Sequence, residues 1–209
     1  LKKAFPKINN VDKKKYTKEM WCNFGRTFAE YVYLKNFRKN PDKHIAINGV
    51  EILDLIQSNR KSTVFISGHF ANFELMAMEL DRKELNIAAI YRPLNNFFLN
   101  PLMEYWRKKY ICNHQIPKKI PGKGGDGTRE FLKAVQKKTN IAVMVDQSVT
   151  QGKRINFFNE KAFTTSIPSQ LALKYNYQIV PISIRRVDKY QFVMDVSPPL
   201  LLISKKTMR

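Results

Sequence analysis

At 209 residues the chain is long enough for one domain with a sizeable core, and its 44% hydrophobic and 12% aromatic content excludes a disordered tail. The 37 basic against 17 acidic residues give a formal charge of +20, which favours a phosphate-bearing or acidic partner: nucleic acid, an anionic membrane face or an acidic carrier protein. Two cysteines, Cys22 and Cys112, supply neither a disulfide framework nor a Cys-x-x-Cys metal pattern, and they read as plain thiols of a reducing compartment on the cytosolic side.

No stretch approaches the roughly 18 apolar residues that a membrane span requires, and Leu1 to Lys7 runs into polar sequence without the form of a signal peptide. The chain starts without Met and stops soon after an apolar run, which reads as a fragment of a longer protein: a single domain over residues 1–209. Trp21, Phe24, Phe28, Tyr31 and Val32 recur at helical spacing and predict an amphipathic helix over 14–35. A second helix is expected over 50–59 behind Gly49. Thr63–Ser67, closed by Gly68, is a short continuous apolar run of the kind found in strands buried on both faces.

Residues 70–80 favour a helix and 86–91 a second buried strand, ended by Pro93, which holds Arg92 extended. A helix over 97–109 is followed by a loop with Pro117, Pro121, Gly122, Gly124, Gly125 and Gly127, then by a helix over 129–137 that Thr128 can cap. A third buried strand, 141–145, ends at Asp146-Gln147. A helix over 166–175 and two strands, 179–184 and 191–196, complete the chain. Strands alternating with helices predict an α/β fold with a mixed, largely parallel central sheet flanked by helices, its last strand pair antiparallel. Function in such sheets gathers beyond the carboxyl ends of the strands, where His69, Arg92 and Asp146 all fall.

His69 and Glu74 lie five positions apart, about 140° around an ideal helix, so they can meet only if His69 occupies the turn before the helix. Placed so, Glu74 accepts a proton from one ring nitrogen and the other nitrogen is free as a general base. Spacing alone favours a hydrogen-bonded structural histidine and a solvated glutamate over such a dyad.

The surrounding residues resemble the lipid A late acyltransferases (lauroyl and myristoyl transferases) of the lysophospholipid acyltransferase superfamily. The match runs through Gly68-His69, Asn72 and Glu74; Tyr91-Arg92-Pro93 and Asn95; Gly127 and Arg129-Glu130; Asp146-Gln147; and Phe157-Phe158 with Ala162 and Thr164. Phe5-Pro6 and Glu30 are similar to the region before the catalytic motif. Asn159 stands where the family commonly has Gly, and a Phe-Pro-Glu-Gly motif of the phosphatidate branch is missing. Family members usually carry an N-terminal membrane-spanning helix and a further C-terminal segment, neither of which this sequence contains.

The resemblance implies a glycerolipid acyltransferase-like fold and an enzyme of the cytoplasmic face of the bacterial inner membrane. It implies transfer of a fatty acyl group from acyl carrier protein to a hydroxyl of an anionic lipid A precursor, with no cofactor. His69 would be the base and Glu74 its orienter, beside a pocket open to lipid. Arg92 suits an acceptor phosphate or developing negative charge. Asp146 either hydrogen-bonds near the site or caps its loop; Asn72 either orients the dyad or is structural; Arg129 either binds phosphate or carrier protein or is simply exposed. A phospholipid or glycolipid acceptor is the nearest alternative. A nucleic-acid-binding role is disfavoured, since no helix-turn-helix, zinc-finger or aromatic RNA-binding signature accompanies the charge.

Overall fold

The computed structural model describes residues 1–118, 127–149 and 152–201. The expected loop glycines and proline at 121–125 lie outside the described residues. Helix α1 covers Asn10–Ala29, capped by the Asn9 side chain, and passes through a 3-10 turn at Glu30–Tyr33 into α2, Leu34–Lys39. There follow β1 (Ile45–Asn48), α3 (Val50–Asn59), β2 (Thr63–Ser67), α4 (Glu74–Arg82), β3 (Ile87–Tyr91) and α5 (Leu99–Trp106). A π-turn at Arg107–Ile111 leads to β4 (Gln115–Pro117) and α6 (Gly127–Gln136). The chain continues with β5 (Asn140–Met144), β6 (Lys153–Phe157), β7 (Glu160–Thr164), α7 (Ile167–Tyr175), β8 (Gln178–Asp188) and β9 (Gln191–Val196).

The main sheet has seven strands in the order β1-β9-β8-β2-β5-β3-β4, all neighbours parallel except β8 and β9. The expected α/β class and mixed, largely parallel sheet are present. Each central strand is buried on both faces, which explains the unbroken apolar runs. Along β2, Val64 packs with Ile141, Val143 and Ile179 on the side of α6 and α7, while Phe65 packs with Leu75, Met78 and Val180 on the opposite side. The period-two alternation of a strand thus feeds two cores rather than one core and solvent. Each fully buried Leu or Ile here contributes about 1.5–3 kcal/mol by leaving water.

Three local expectations change. The helix anticipated over 70–80 begins only at Glu74, because residues 68–73 form the turn that carries the site. The long helix over 14–35 breaks at Glu30, and its predicted apolar stripe is not a core face: Trp21, Phe28 and Val32 are exposed and only Tyr31 of that set is buried. Periodicity identifies a stripe but not what covers it. β1, β4 and the separate β6-β7 hairpin were not foreseen, the first two because three- and four-residue strands carry too few alternations to stand out.

Glu79, on α4, is buried and bonded to Arg82 at 2.6 Å, with no partner for its other oxygen among the described residues. Burial raises its pKa above the ordinary 4.5, against the pull of Arg82. The folded protein therefore holds this proton after the unfolded chain has released it, so Glu79 subtracts stability as pH climbs from about 4.5 through its raised value. Glu79→Gln is expected to flatten that limb; melting temperatures of both proteins between pH 4 and 7 check it, and parallel curves would refute it.

Candidate active site

The site grows from strand register. β2 and β5 run parallel with Ser67 opposite Met144, and the Val145 N–H donates to the Ser67 carbonyl at 2.9 Å, extending the pairing past the strand ends. Two residues on, His69 therefore meets Asp146. Its backbone N–H donates to Asp146 Oδ2 and its ring Nδ1 bonds Asp146 Oδ1, both at 2.8 Å. One carboxylate thus fixes both the main chain and the imidazole. With Nδ1 donating, Nε2 carries the lone pair, and the Gln147 side-chain amide lies 3.3 Å from it. The Phe73 ring meets the imidazole edge-on at 4.5 Å between centroids.

Gly68 is needed for room. A Cβ there would come within 2.9 Å of the Phe70 ring and 3.2 Å of Asp146 Oδ2, pushing on the carboxylate that holds His69. The strain of the turn falls instead on Ala71, whose φ of 43° is unusual for a residue with a side chain. The Asn23 amide and Thr27 hydroxyl of α1 both donate to its carbonyl, at 3.1 and 3.0 Å. Asn72 is buried and structural in its contacts: its amide donates to Glu30, and its oxygen accepts the Glu74 N–H at 3.2 Å. Arg186 closes this group with two bonds to Glu30, at 2.6 and 3.1 Å.

Glu74 departs from expectation. No hydrogen bond among the described residues joins it to His69; its Oε1 accepts from Tyr31 and from Arg107, at 3.0 Å from Nε and 2.5 Å from Nη2. The orienting carboxylate on the imidazole is Asp146, because strand pairing delivers it directly whereas the first turn of α4 carries Glu74 to the aromatic-lined side. Arg107 stacks over Tyr91 and Tyr31, at 5.3 and 6.0 Å. Burial lowers its pKa but Glu74 and Tyr31 raise it further, so the guanidinium stays charged. Burial and then Glu74 push the Tyr31 phenol up, which keeps it a donor.

Arg92 follows β3 directly and is exposed. Since Tyr91 pairs with Pro117, Lys118 lies beside it, and the Lys118 N–H donates to the Tyr91 carbonyl at 2.7 Å. Burial and Arg92 lower the Lys118 pKa, while Asp146 works against them. The carboxyl ends of β2, β5, β3 and β4 therefore carry His69, Asp146, Arg92 and Lys118 in sequence across one edge. Arg129 sits exposed on the first turn of α6, with no ion pair to a described residue. A polar cavity of about 390 Å³ opens near β3 and β4, lined by Tyr91, Glu104, Gln115 and Glu130 among others; it includes neither His69 nor Arg92 and is not the lipid pocket expected beside them.

Sequence reading missed Arg107 and Lys118. Arg107 carried no signal beyond one more Arg in a basic helix, whereas Lys118 follows a strand too short to recognise. Among the described residues no three His, Cys, Asp or Glu side chains gather as a metal site, and no helix is long and apolar enough to cross a membrane.

A search of curated proteins returned no match. The family model described as bacterial lipid A biosynthesis acyltransferase matches residues 1–207, the order of motifs from Gly68-His69 to Asp146-Gln147 lying within it. The chain therefore belongs to the bacterial lipid A biosynthesis acyltransferase family, enzymes that transfer acyl groups.

Proposed function

We infer that this acyltransferase moves a fatty acyl group from an acyl-carrier-protein thioester to a hydroxyl of a lipid A precursor, with His69 Nε2 as the general base. The observation that carries this reading is the lock of His69 Nδ1 on Asp146, which leaves Nε2 as the basic nitrogen at the carboxyl edge of the sheet. The acceptor hydroxyl displaces the Gln147 amide from Nε2, gives up its proton and attacks the thioester carbonyl. The tetrahedral oxyanion collapses, the carbon–sulfur bond breaks, and the thiolate takes the proton back from the imidazolium. Asp146 stabilises that imidazolium without itself changing protonation.

Arg92 and Lys118 form the cationic side of this edge and suit the phosphate of an anionic acceptor. Acyl carrier protein fits as donor because it is acidic and the chain carries +20. On this reading the transfer takes place at the cytoplasmic face of the inner membrane, where an acidic carrier could reach a membrane-held acceptor.

Purified protein given acyl carrier protein or coenzyme A thioesters with a lipid A precursor or a phospholipid tests the assignment by mass spectrometry of the products. Acylated phospholipid with an unchanged lipid A precursor would overturn it. Arg92→Ala is expected to reduce transfer about tenfold or more, the scale of one charge-assisted hydrogen bond, while slow thioester hydrolysis falls less. Equal losses in both reactions would remove Arg92 from acceptor binding.

A further inference from the structure

We propose that the β6-β7 hairpin is a lipid-penetrating probe that seats the catalytic edge of the sheet on an anionic membrane surface. The hairpin pairs Lys153–Phe157 with Glu160–Thr164 and, among the described residues, joins no other sheet. Two strands alone bury little, and here every β6 residue is exposed. Its apolar side chains lie where a water-facing ribbon would place polar ones: Phe157 is 61% and Phe158 54% exposed, and Ile155 is also exposed.

The turn sharpens the point. Phe158 and Asn159 both have positive φ, 49° and 61°, the pattern of a tight hairpin turn that favours Asn and Gly. Asn159 suits its position. Phe158 does not, since bulky residues rarely take this conformation, and its ring gains little burial in return. An aromatic tip held in an unfavourable backbone state gains from an apolar medium outside the protein.

Charge specifies that medium. Lys153, Arg154 and Lys161 flank the tip, and the hairpin's single acid, Glu160, is paired with Lys3 at 3.0 Å. Phe5 stands beside Phe158 with centroids 6.5 Å apart, in a segment that also carries Lys2 and Lys7. Phenylalanines ringed by lysine and arginine suit the boundary between anionic headgroups and acyl chains. An acidic protein would be served by the charges but not by the protruding rings.

The root ties this probe to the site. Residues 146–149 leave Asp146 toward the hairpin, and the Val149 N–H donates to the Phe163 carbonyl at 3.3 Å. A side chain at Gly152 would strike the Thr164 carbonyl at 2.5 Å, so the base of the ribbon is closed tight. The hairpin therefore projects from the same edge that holds His69.

The test labels Phe158→Cys with an environment-sensitive fluorophore in a Cys22→Ser background. Cys112 is buried, with its thiol pushed up to about 12, and stays unlabelled. Ser58→Cys, on α3 near the edge where β2 begins, is the reference. Vesicles rich in phosphatidylglycerol are expected to shift the label at 158 to the blue and leave that at 58 unchanged. Phosphatidylcholine vesicles are expected to do far less.

Phe157→Ser with Phe158→Ser is expected to weaken vesicle binding about tenfold or more. Each Lys153, Arg154 or Lys161→Gln is expected to weaken it about fivefold. An unshifted label at 158, equal shifts at both positions, or a shift with acyl carrier protein but not with vesicles would each overturn the proposal. The serine double variant is expected to keep its acyl transfer on a detergent-dispersed acceptor, so failure of the hairpin and failure of the acyltransferase reading are separable. Transfer lost in detergent with vesicle binding intact would give the hairpin to the substrate site instead.

Discussion

His69→Ala is expected to lower kcat by about 10²–10⁴, the usual worth of a positioned general base, with the fold retained because the imidazole, though only 18% exposed, stands at a strand exit outside both buried apolar clusters. The sharper experiment is Asp146→Asn. Both Asp146 oxygens accept: Oδ1 from the His69 ring and Oδ2 from the His69 backbone N–H. Asn supplies one acceptor and one donor, so it must set its amide N–H groups against either the backbone N–H or the ring nitrogen. Satisfying the backbone presents an N–H to Nδ1, which forces the ring proton onto Nε2 and removes the base. Satisfying the ring leaves the main chain of the turn unpaired. Either way a loss of about 10²–10⁴ in kcat is expected, as when a comparable orienting carboxylate is neutralised. Steady-state rates on the acyl-carrier-protein thioester and lipid acceptor, beside circular dichroism, measure it. Near-normal turnover in Asp146→Asn, with a collapse in Glu74→Gln, would restore Glu74 as the orienter.

That outcome turns on a contact no linear reading could provide. The buried runs at 63–67, 86–91 and 141–145 and the residues at their ends are visible in composition and turn chemistry, and they place His69, Arg92 and Asp146 at strand exits. Which strands are neighbours is not visible. The pairing of β2 with β5, two strands far apart in the chain, decides that Asp146 and not Glu74 reaches the imidazole. The five-residue spacing of His69 and Glu74 suggested a local dyad because local contacts are the ones a sequence displays. Gly68 is visible in the sequence as the end of an apolar run, but what it does there is not: it leaves space for Phe70 and Asp146. The hairpin escaped notice because its Phe-Phe tip stands where turns normally carry polar residues.

Glu74→Ala is expected to be more damaging to the fold than to any single chemical step. It would strand Arg107, whose side chain is 11% exposed, among Tyr31, Tyr91 and the start of α4 without a counter-charge. Breaking a buried pair from one side costs about 3–5 kcal/mol, most of it the desolvation of the remaining ion. Arg107→Ala leaves the Glu74 carboxylate, among the described residues, with the Tyr31 hydroxyl alone and should cost a similar amount. Replacing both together, Glu74→Leu with Arg107→Met, removes both charges and should recover most of the loss, because apolar groups of similar volume tolerate such a site. Urea denaturation of the unaltered protein, Glu74→Leu, Arg107→Met and their double variant gives the coupling energy. Additive losses in the double variant would mean that the pair is not the unit described here. Activity then separates stability from chemistry. If Asp146 orients His69, the stable double variant should retain transfer within about tenfold, since the imidazole and its carboxylate are untouched. A folded double variant with no turnover would place the Glu74–Arg107 pair in the reaction itself.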